Sequence, residues 1–158
     1  MSKAFTSEET EDASIAGRIP SRAAPGEERP ITPEGHRALE HTLGRLEQER
    51  RDADDDDTRK TLDHHVALVK ATLESVRVVE QSAHDGTVRF GCTVDLVWGD
   101  SDREERVRIV GPDEVTNAPG QVSVVSPLGR ALLGRRAGED IELERPKGTV
   151  EVRISRVS

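Results

Sequence analysis

Two short heptad patterns separated by a cluster of aspartates constrain the fold of this chain more than any other feature. Apolar residues in both patterns recur at alternating steps of three and four residues: Leu39, Leu43 and Leu46, then Leu62, Val66, Val69, Leu73 and Val76. This spacing buries one narrow stripe of a helix against a partner helix. Each pattern is too short for a long coiled coil, so residues 33–80 are predicted to form two helices that pair antiparallel with each other.

The ends of the predicted helices carry clear local signals. Thr32 suits the N-cap, and Pro33 suits the first helical position, where its missing N–H costs nothing. Residues 52–57 read Asp-Ala-Asp-Asp-Asp-Asp. Aspartate is a poor helix former, and neighbouring carboxylates repel one another. The chain is therefore predicted to turn there, with a concentrated negative charge at the bend.

Composition excludes several classes of function. A net charge of −8 argues against coating bare nucleic acid by phosphate neutralisation. An aromatic content of 2% argues against base-stacking platforms and aromatic ligand pockets. The single cysteine, Cys92, excludes an internal disulfide and a cysteine-rich metal site. The sequence contains no recognisable signal peptide and no apolar run of bilayer-spanning length, so a cytoplasmic protein is expected.

The chain of 158 residues divides into four predicted segments. Residues 1–30 are poor in apolar side chains and rich in Glu, Ser, Ala and Pro, so we expect a disordered acidic tail. Residues 31–80 form the hairpin with its aspartate-rich tip, and residues 81–86 form a linker. Residues 87–158 are predicted to be a globular C-terminal domain.

The C-terminal segment changes from a helical to an alternating apolar period. Five runs separated by Gly, Pro, Asp and Asn are predicted strands: residues 93–98, 106–110, 121–125, 141–144 and 149–157. One short helix interrupts them, with Ser126 as N-cap, Pro127 at the first position and Gly134 at the end. The predicted domain is a small antiparallel sheet packed on that helix. The whole chain therefore belongs to the α+β class.

Several sequence blocks carry a resemblance to a known family. They are Val-Arg-Phe-Gly-Cys-Thr-Val at 88–94, Arg-Ile-Val-Gly-Pro-Asp-Glu at 108–114, Ser-Pro-Leu-Gly-Arg-Ala-Leu-Leu-Gly at 126–134, Gly-Glu-Asp at 138–140 and Pro-Lys-Gly at 146–148. Together they resemble the C-terminal domain of the bacterial GreA/GreB transcription elongation factors. Upstream, Ile-Thr-Pro-Glu-Gly at 31–35 resembles the opening of that family's coiled coil.

The resemblance implies both a fold and a partner. It implies an FKBP-like C-terminal domain that docks at the mouth of the RNA polymerase secondary channel, with the coiled coil entering the channel tip first. In the family, acidic residues at the tip help to hold a catalytic magnesium ion and stimulate the polymerase's own cleavage of backtracked RNA. RNA polymerase is the expected partner, and contact with nucleic acid is expected only within the polymerase complex. A monomeric protein that is not an enzyme is expected, with no membrane contact and no cofactor beyond magnesium shared with the polymerase.

The hairpin departs from the family pattern in two respects. The aspartate cluster replaces a tip motif of the glycine-aspartate-leucine-serine-glutamate-asparagine type. The first arm, residues 33–51, has 19 residues and spans about 28 Å. Family arms are longer by roughly two heptads or more, each worth about 10 Å. Cleavage geometry tolerates errors of about 1 Å, so a tip that stops short cannot place a metal.

The candidate contacts to the polymerase active centre or its metal are the four central acids of the cluster: Asp54, Asp55, Asp56 and Asp57. Carboxylates on an exposed loop can share a divalent cation with an enzyme that already holds one, and oxygen ligands suit magnesium. Composition alone favours a solvated turn. The position, where the family keeps its functional acids, favours the functional interpretation. No metal is expected in the free protein.

Part of the C-terminal domain is expected to face the polymerase, again by resemblance. The candidate docking residues are Asp113, Ser126, Pro127 and Leu128. Each also has a structural interpretation, because Ser126 suits a helix cap, Leu128 suits the core, and Pro112 with Asp113 suits a turn.

The remaining candidate sites have structural interpretations that we prefer. His64 and His65 are adjacent on a helix, so their side chains point about 100° apart and do not form the i, i+4 pair of a zinc site. Cys92 lies in a strand pattern and is expected to be buried rather than nucleophilic. Prolyl isomerase activity, which an FKBP-like fold raises, needs an aromatic-lined pocket that Phe90 and Trp98 alone do not supply.

Three functions remain open from the sequence. The favoured one is an elongation factor that binds RNA polymerase at the secondary channel and modulates elongation, with cleavage stimulation through the acidic tip as one outcome. The second is a Gre-like competitor that obstructs the channel and inhibits transcription. The third is an adaptor module that kept the fold without polymerase binding.

Overall fold

The computed structural model describes residues 28–81, 84–116 and 119–158. Residues 1–27 of the predicted tail lie outside the described residues. The elements in chain order are β1 (Arg29–Ile31), α1 (Pro33–Asp52), α2 (Asp56–Ser75), β2 (Val76–Val78), β3 (Thr93–Trp98), β4 (Arg103–Val110), β5 (Gln121–Ser123), α3 (Pro127–Leu132), β6 (Asp140–Arg145) and β7 (Gly148–Val157). The protein is α+β, as predicted.

Helices α1 and α2 pack antiparallel and form a two-helix projection, which we call the finger (residues 33–75). Each helix has 20 residues and spans about 30 Å. The predicted apolar stripes meet in a seam whose buried members are Leu46, Leu62, Val66 and Val69, with Leu43, Ala53 and Leu73 partly buried around them. The heptad prediction is therefore confirmed for the body of the finger.

Two side-chain caps define where the helices begin. The Thr32 hydroxyl accepts a hydrogen bond from the Gly35 backbone N–H at 3.0 Å, and Pro33 follows as the first helical residue. Asp55 caps α2 in the same way. Asp52 is the last residue of α1, so only residues 53–55 connect the helices. The aspartate cluster ends one helix and begins the next, as its composition predicts.

The base of the finger differs from the prediction. Helix α2 ends at Ser75 rather than near residue 80, and β2 follows at once, pairing in parallel with β1. Arg29 and Pro30, which the sequence assigned to the tail, are therefore part of a two-stranded sheet. The heptad period runs on through Val76, but valines around Arg77 also favour a strand. A partner strand for that segment cannot be read from local periodicity.

The C-terminal domain contains a five-stranded sheet in the order β5-β4-β3-β7-β6. Neighbouring strands are antiparallel except β4 and β5, which are parallel. The sheet is thus mixed, and the purely antiparallel prediction is wrong at β5. Alternation of apolar residues marks a strand but does not show whether the strand runs parallel or antiparallel to its neighbour.

Apolar side chains on one face of this sheet form the core with α3. The predicted alternation is confirmed in three strands, whose buried members are Val94, Leu96, Trp98, Val107, Ile109, Val150, Val152 and Ile154. Leu132 of α3 is fully buried against them. Cys92 is also buried, as expected. None of the helices in the described part of the chain is long and apolar enough to cross a membrane.

Candidate functional site

The tip of the finger, residues 53–57, carries all four acids that the sequence singled out. Asp54 lies in the connection between the helices, and Asp56 and Asp57 occupy the first turn of α2. All of these side chains are exposed. The N-terminus of a helix carries a partial positive charge that stabilises nearby carboxylates. The start of α2 therefore offsets part of the repulsion within the cluster.

Asp55 has a structural role that the other tip acids lack. Its carboxylate accepts hydrogen bonds from the Thr58 hydroxyl at 2.6 Å and from the Thr58 backbone N–H at 2.8 Å. These bonds hold the pKa of Asp55 below its usual value of 3.8, and the bond from the Thr58 hydroxyl has the largest effect. Asp55 is thus ionised and committed to capping α2.

The other three tip acids remain accessible. Asp56 lies 3.8 Å from Arg59, one turn along α2, which is a loose and exposed ion pair. Asp54 and Asp57 form no ion pair with any described residue. Asp54, Asp56 and Asp57 therefore present three exposed carboxylates at the end of the finger.

A preformed metal centre is not found among residues 28–81, 84–116 and 119–158. No group of three or more His, Cys, Asp or Glu side chains there is arranged to hold an ion. The His64 and His65 rings lie 6.3 Å apart and are tilted by 50°.

The finger is attached to the C-terminal domain at what we call the joint, where residues 29–35 meet residues 108–114. Glu114 accepts hydrogen bonds from the backbone N–H of Thr32 at 2.7 Å and of Gly111 at 2.9 Å, and a further bond from the Thr32 hydroxyl. Thr32 is itself the N-cap of α1. One carboxylate thus bonds both to the start of the finger and to the domain. The sequence placed Glu114 only in the block at 112–114 that the resemblance expects to face the polymerase, and gave no sign of its contact with the finger.

Asp113, a predicted docking residue, also belongs to the joint. Its carboxylate forms an ion pair with Arg29 at 2.8 Å, and the two side chains are 2% and 11% exposed, respectively. The structure therefore gives Asp113 a structural role in the joint, and its role as a docking contact stays a prediction.

The other predicted docking residues lie together in the α3 loop, residues 123–128. The Ser126 hydroxyl donates to the Ser123 carbonyl at 2.7 Å and accepts from the Gly129 N–H at 3.1 Å, so it caps α3. Leu128 packs against the core. Pro127 is exposed. Val125, two positions earlier in the chain, is 50% exposed, and nothing in the sequence pattern singled it out.

These features define a class of protein: a small α+β domain that carries a two-helix finger with an acidic end. The family model "Transcription elongation factor, GreA/GreB, C-term" matches residues 82–158. Transcription elongation factor GreA of Psychrobacter cryohalolentis is 31% identical over 151 residues, covering 81% of this chain and 96% of the relative. GreA of Desulfovibrio desulfuricans is 32% identical over 150 residues, with 82% and 93% covered. The chain belongs to the GreA/GreB family of transcription elongation factors, whose members are named for a role in transcription and not for a reaction of their own.

Solved structures of similar proteins include two bacterial factors. GreA factor homolog 1 (Gfh1) of Thermus thermophilus is 25% identical, with a TM-score of 0.41 and coverage of 84% of this chain and 99% of that one. A GreA/GreB factor from Nitrosomonas europaea is 24% identical, with a TM-score of 0.43 and coverage of 83% and 98%.

Alignment lengths indicate that the aligned part of this chain is shorter than the matching part of a relative. The alignment with the Psychrobacter cryohalolentis protein spans 151 positions, whereas 81% of 158 residues is about 128. About 23 aligned positions of the relative therefore have no counterpart here. A deficit of this size is consistent with the finger arms being shorter, as the sequence predicts.

Proposed function

We propose that this protein binds RNA polymerase through its C-terminal domain, at the mouth of the secondary channel, and directs the acidic tip of the finger toward the active centre. One observation carries the proposal: three exposed aspartates stand at the end of a finger that is fixed to a GreA/GreB C-terminal domain. The relatives at 31% and 32% identity are named transcription elongation factors, which supports an action on the elongating enzyme.

The tip supplies the chemistry of this proposal. Asp54, Asp56 and Asp57 are exposed, and carboxylate oxygens are the ligands that magnesium takes from proteins. The polymerase supplies the ion and the remaining ligands. Asp55 holds the turn by capping α2. One tip acid therefore stabilises the turn, and the three exposed acids are available to bind a metal.

The α3 loop supplies the docking contact. Val125 and Pro127 are both exposed and flank Ser126 in the chain, and the two hydrogen bonds of the Ser126 hydroxyl hold the backbone between them. Exposed apolar side chains held on a rigid backbone bind a partner with little loss of conformational entropy. We assign Pro127 and Val125 to the polymerase contact. Ser126 and Leu128 hold this loop in place, Ser126 by capping α3 and Leu128 by packing against the core.

The length of the finger supports a second candidate function. Arms of about 30 Å belong to a chain that lacks about 23 positions of its relative. If the tip stops short of the catalytic ion, the finger occupies the channel without assisting cleavage. The protein is then a competitor of relatives with longer arms and slows transcription.

RNA cleavage in backtracked elongation complexes decides between the two functions. The wild-type protein is compared with the triple variant Asp54→Asn, Asp56→Asn and Asp57→Asn, which keeps Asp55 and hence the helix cap. Cleavage that rises with wild type and is lost in the triple variant identifies a stimulator. Cleavage at background, with slower nucleotide addition and displacement of a longer family member, identifies the competitor.

Retention on immobilised RNA polymerase tests the docking itself. Wild type is expected to bind, and the triple tip variant is expected to bind with similar affinity because docking uses the C-terminal domain. Absence of binding by wild type overturns both candidate functions and leaves the adaptor interpretation.

A further inference from the structure

The Glu114 carboxylate connects two segments that are far apart in sequence. One of its oxygens accepts from the backbone N–H groups of both Thr32 and Gly111, and the other accepts from the Thr32 hydroxyl. Glu114 and Thr32 are separated by 82 positions. Hydrogen bonds to a charged acceptor are about twice as strong as neutral ones. This carboxylate is the central contact between the finger and the domain that carries it.

Helix α1 approaches Glu114 so closely that only glycine fits at the contact. A Cβ added to Gly35 would lie 2.6 Å from Cδ and 2.9 Å from Cβ of Glu114. Gly44, farther along the same helix, has nothing within 4 Å of an added Cβ. Gly35 lies in the first turn of α1, and an alanine there would force the Glu114 side chain to shift.

The same segments are held together on either side of Glu114. Gly111 lies against the Pro30 carbonyl, where an added Cβ would overlap the oxygen. Arg29 pairs with Asp113, and Arg108 donates to Glu34 at 3.2 Å. The joint is thus a continuous contact with Glu114 near its middle.

We propose that Glu114 is a positioning residue: it fixes the direction in which the finger leaves the C-terminal domain, and so determines where the tip lies when the domain is docked. The expected effect on transcription rests on the proposed function, whereas the role of Glu114 in orienting the finger does not. Because each arm spans about 30 Å, a tilt of roughly 10° at the joint moves the tip by about 5 Å. Catalytic geometry tolerates about 1 Å, so a loosened joint removes the effect of the tip while docking is retained.

Distance measurements on the full chain test the geometry directly. Spin labels are attached to two introduced cysteines, Asp54→Cys at the tip and Lys147→Cys in the domain. Pulsed electron paramagnetic resonance then measures the distribution of distances between the labels. The native Cys92 is 3% exposed, and a labelling control without the added cysteines checks that it stays unmodified. Wild type and Gly44→Ala are expected to give the same narrow distribution. Gly35→Ala and Glu114→Ala are expected to shift or broaden it by about 5 Å or more.

Glu114→Gln is the conservative variant: it removes the charge of the side chain but keeps its size and a hydrogen-bond acceptor. The glutamine carbonyl oxygen can still accept from the backbone N–H groups of Thr32 and Gly111, so its distance distribution is expected to stay close to wild type. Circular dichroism of each variant confirms that both parts are folded. A wild-type distribution in both Gly35→Ala and Glu114→Ala overturns the inference.

Elongation assays test the consequence. In Gly35→Ala and Glu114→Ala the protein concentration that gives half of the maximal effect on elongation is expected to stay within twofold of wild type, while the maximal effect falls at least fivefold. A role in folding alone would raise that concentration and leave the maximal effect unchanged, which contradicts positioning. If wild type fails to bind polymerase, the proposed function fails, and the distance measurements still decide the role of Glu114.

Discussion

Arg29 and Asp113 form a 2.8 Å ion pair whose side chains are 11% and 2% exposed, and this pair lies between the strand that precedes the finger and the domain that supports it. Removing one partner of a buried pair leaves an uncompensated charge. We expect Asp113→Ala to lower the free energy of unfolding by about 3 kcal/mol, measured by urea denaturation.

The double variant Arg29→Met with Asp113→Leu is the control for this pair. Because it removes both charges and leaves apolar side chains, we expect it to lose less stability than Asp113→Ala alone. A loss below about 1 kcal/mol in Asp113→Ala would show that the pair is solvated and of little structural importance.

The Asp55 cap gives a second prediction, located at the tip. Asp55→Ala removes the acceptor for the Thr58 backbone N–H, so the first turn of α2 is expected to fray. Hydrogen exchange of the Thr58 amide is expected to accelerate about fivefold. Asp54→Ala, at the neighbouring exposed position, is the matched control and should leave that amide unchanged. Equal acceleration in both variants would contradict the capping role.

Cross-strand arginine–aspartate pairs predict how stability depends on pH. Hydrogen bonds from Arg106 and from Arg153 lower the pKa of Asp95 and of Asp140, respectively, below the usual value of 3.8. A folded pKa below the unfolded one stabilises the protein above pH 3.8, and this contribution is lost as the pH falls from that value through the folded pKa.

Carbon-detected NMR titration of the aspartate carboxyls measures these pKa values, and urea unfolding at about pH 5 and about pH 2.5 measures the stability. Both pairs are on the surface, so the effect is expected to be small and to weaken with added salt. Arg153→Gln should bring the pKa of Asp140 back toward 3.8. An Asp140 carboxyl that titrates at or above 3.8 in the wild type would contradict the prediction.

The exposed valine of the α3 loop predicts a change in affinity without a change in stability. Val125→Ser is expected to alter the free energy of unfolding by less than about 0.5 kcal/mol, because the side chain is 50% exposed. Affinity for immobilised RNA polymerase is expected to fall about fivefold, or about 1 kcal/mol. Val78→Ser, at a residue that is 44% exposed in β2, is the control. Equal losses of affinity in the two variants would exclude a specific docking role.

Local periodicity was enough to predict the finger and most of the sheet. The steps of three and four through Leu62, Val66 and Val69 depend only on the helix period, and the alternation at Val94, Leu96 and Trp98 depends only on the strand period. The helix caps were likewise predictable, because a cap involves residues within one turn of each other.

Contacts between distant segments could not be predicted in this way. The bond from Thr32 to Glu114 joins positions 82 apart, and the parallel pairing of β1 with β2 joins residues on either side of the finger. Burial of Asp113 depends on Arg29 arriving from the segment before the finger. The family resemblance suggested a docking contact for Asp113 and local composition suggested a turn, and neither signal could reveal the ion pair with Arg29.

The seam of the finger contains only four buried side chains. Helical segments of this length are marginal in water, and chains of about 40 residues seldom fold without external support. Residues 33–75 alone are therefore expected to unfold. The finger depends on its contacts with the C-terminal domain and is not an independent folding unit. Shortening or lengthening the arms by whole turns should therefore leave the finger folded, provided that the contacts of Glu114 at its base are kept.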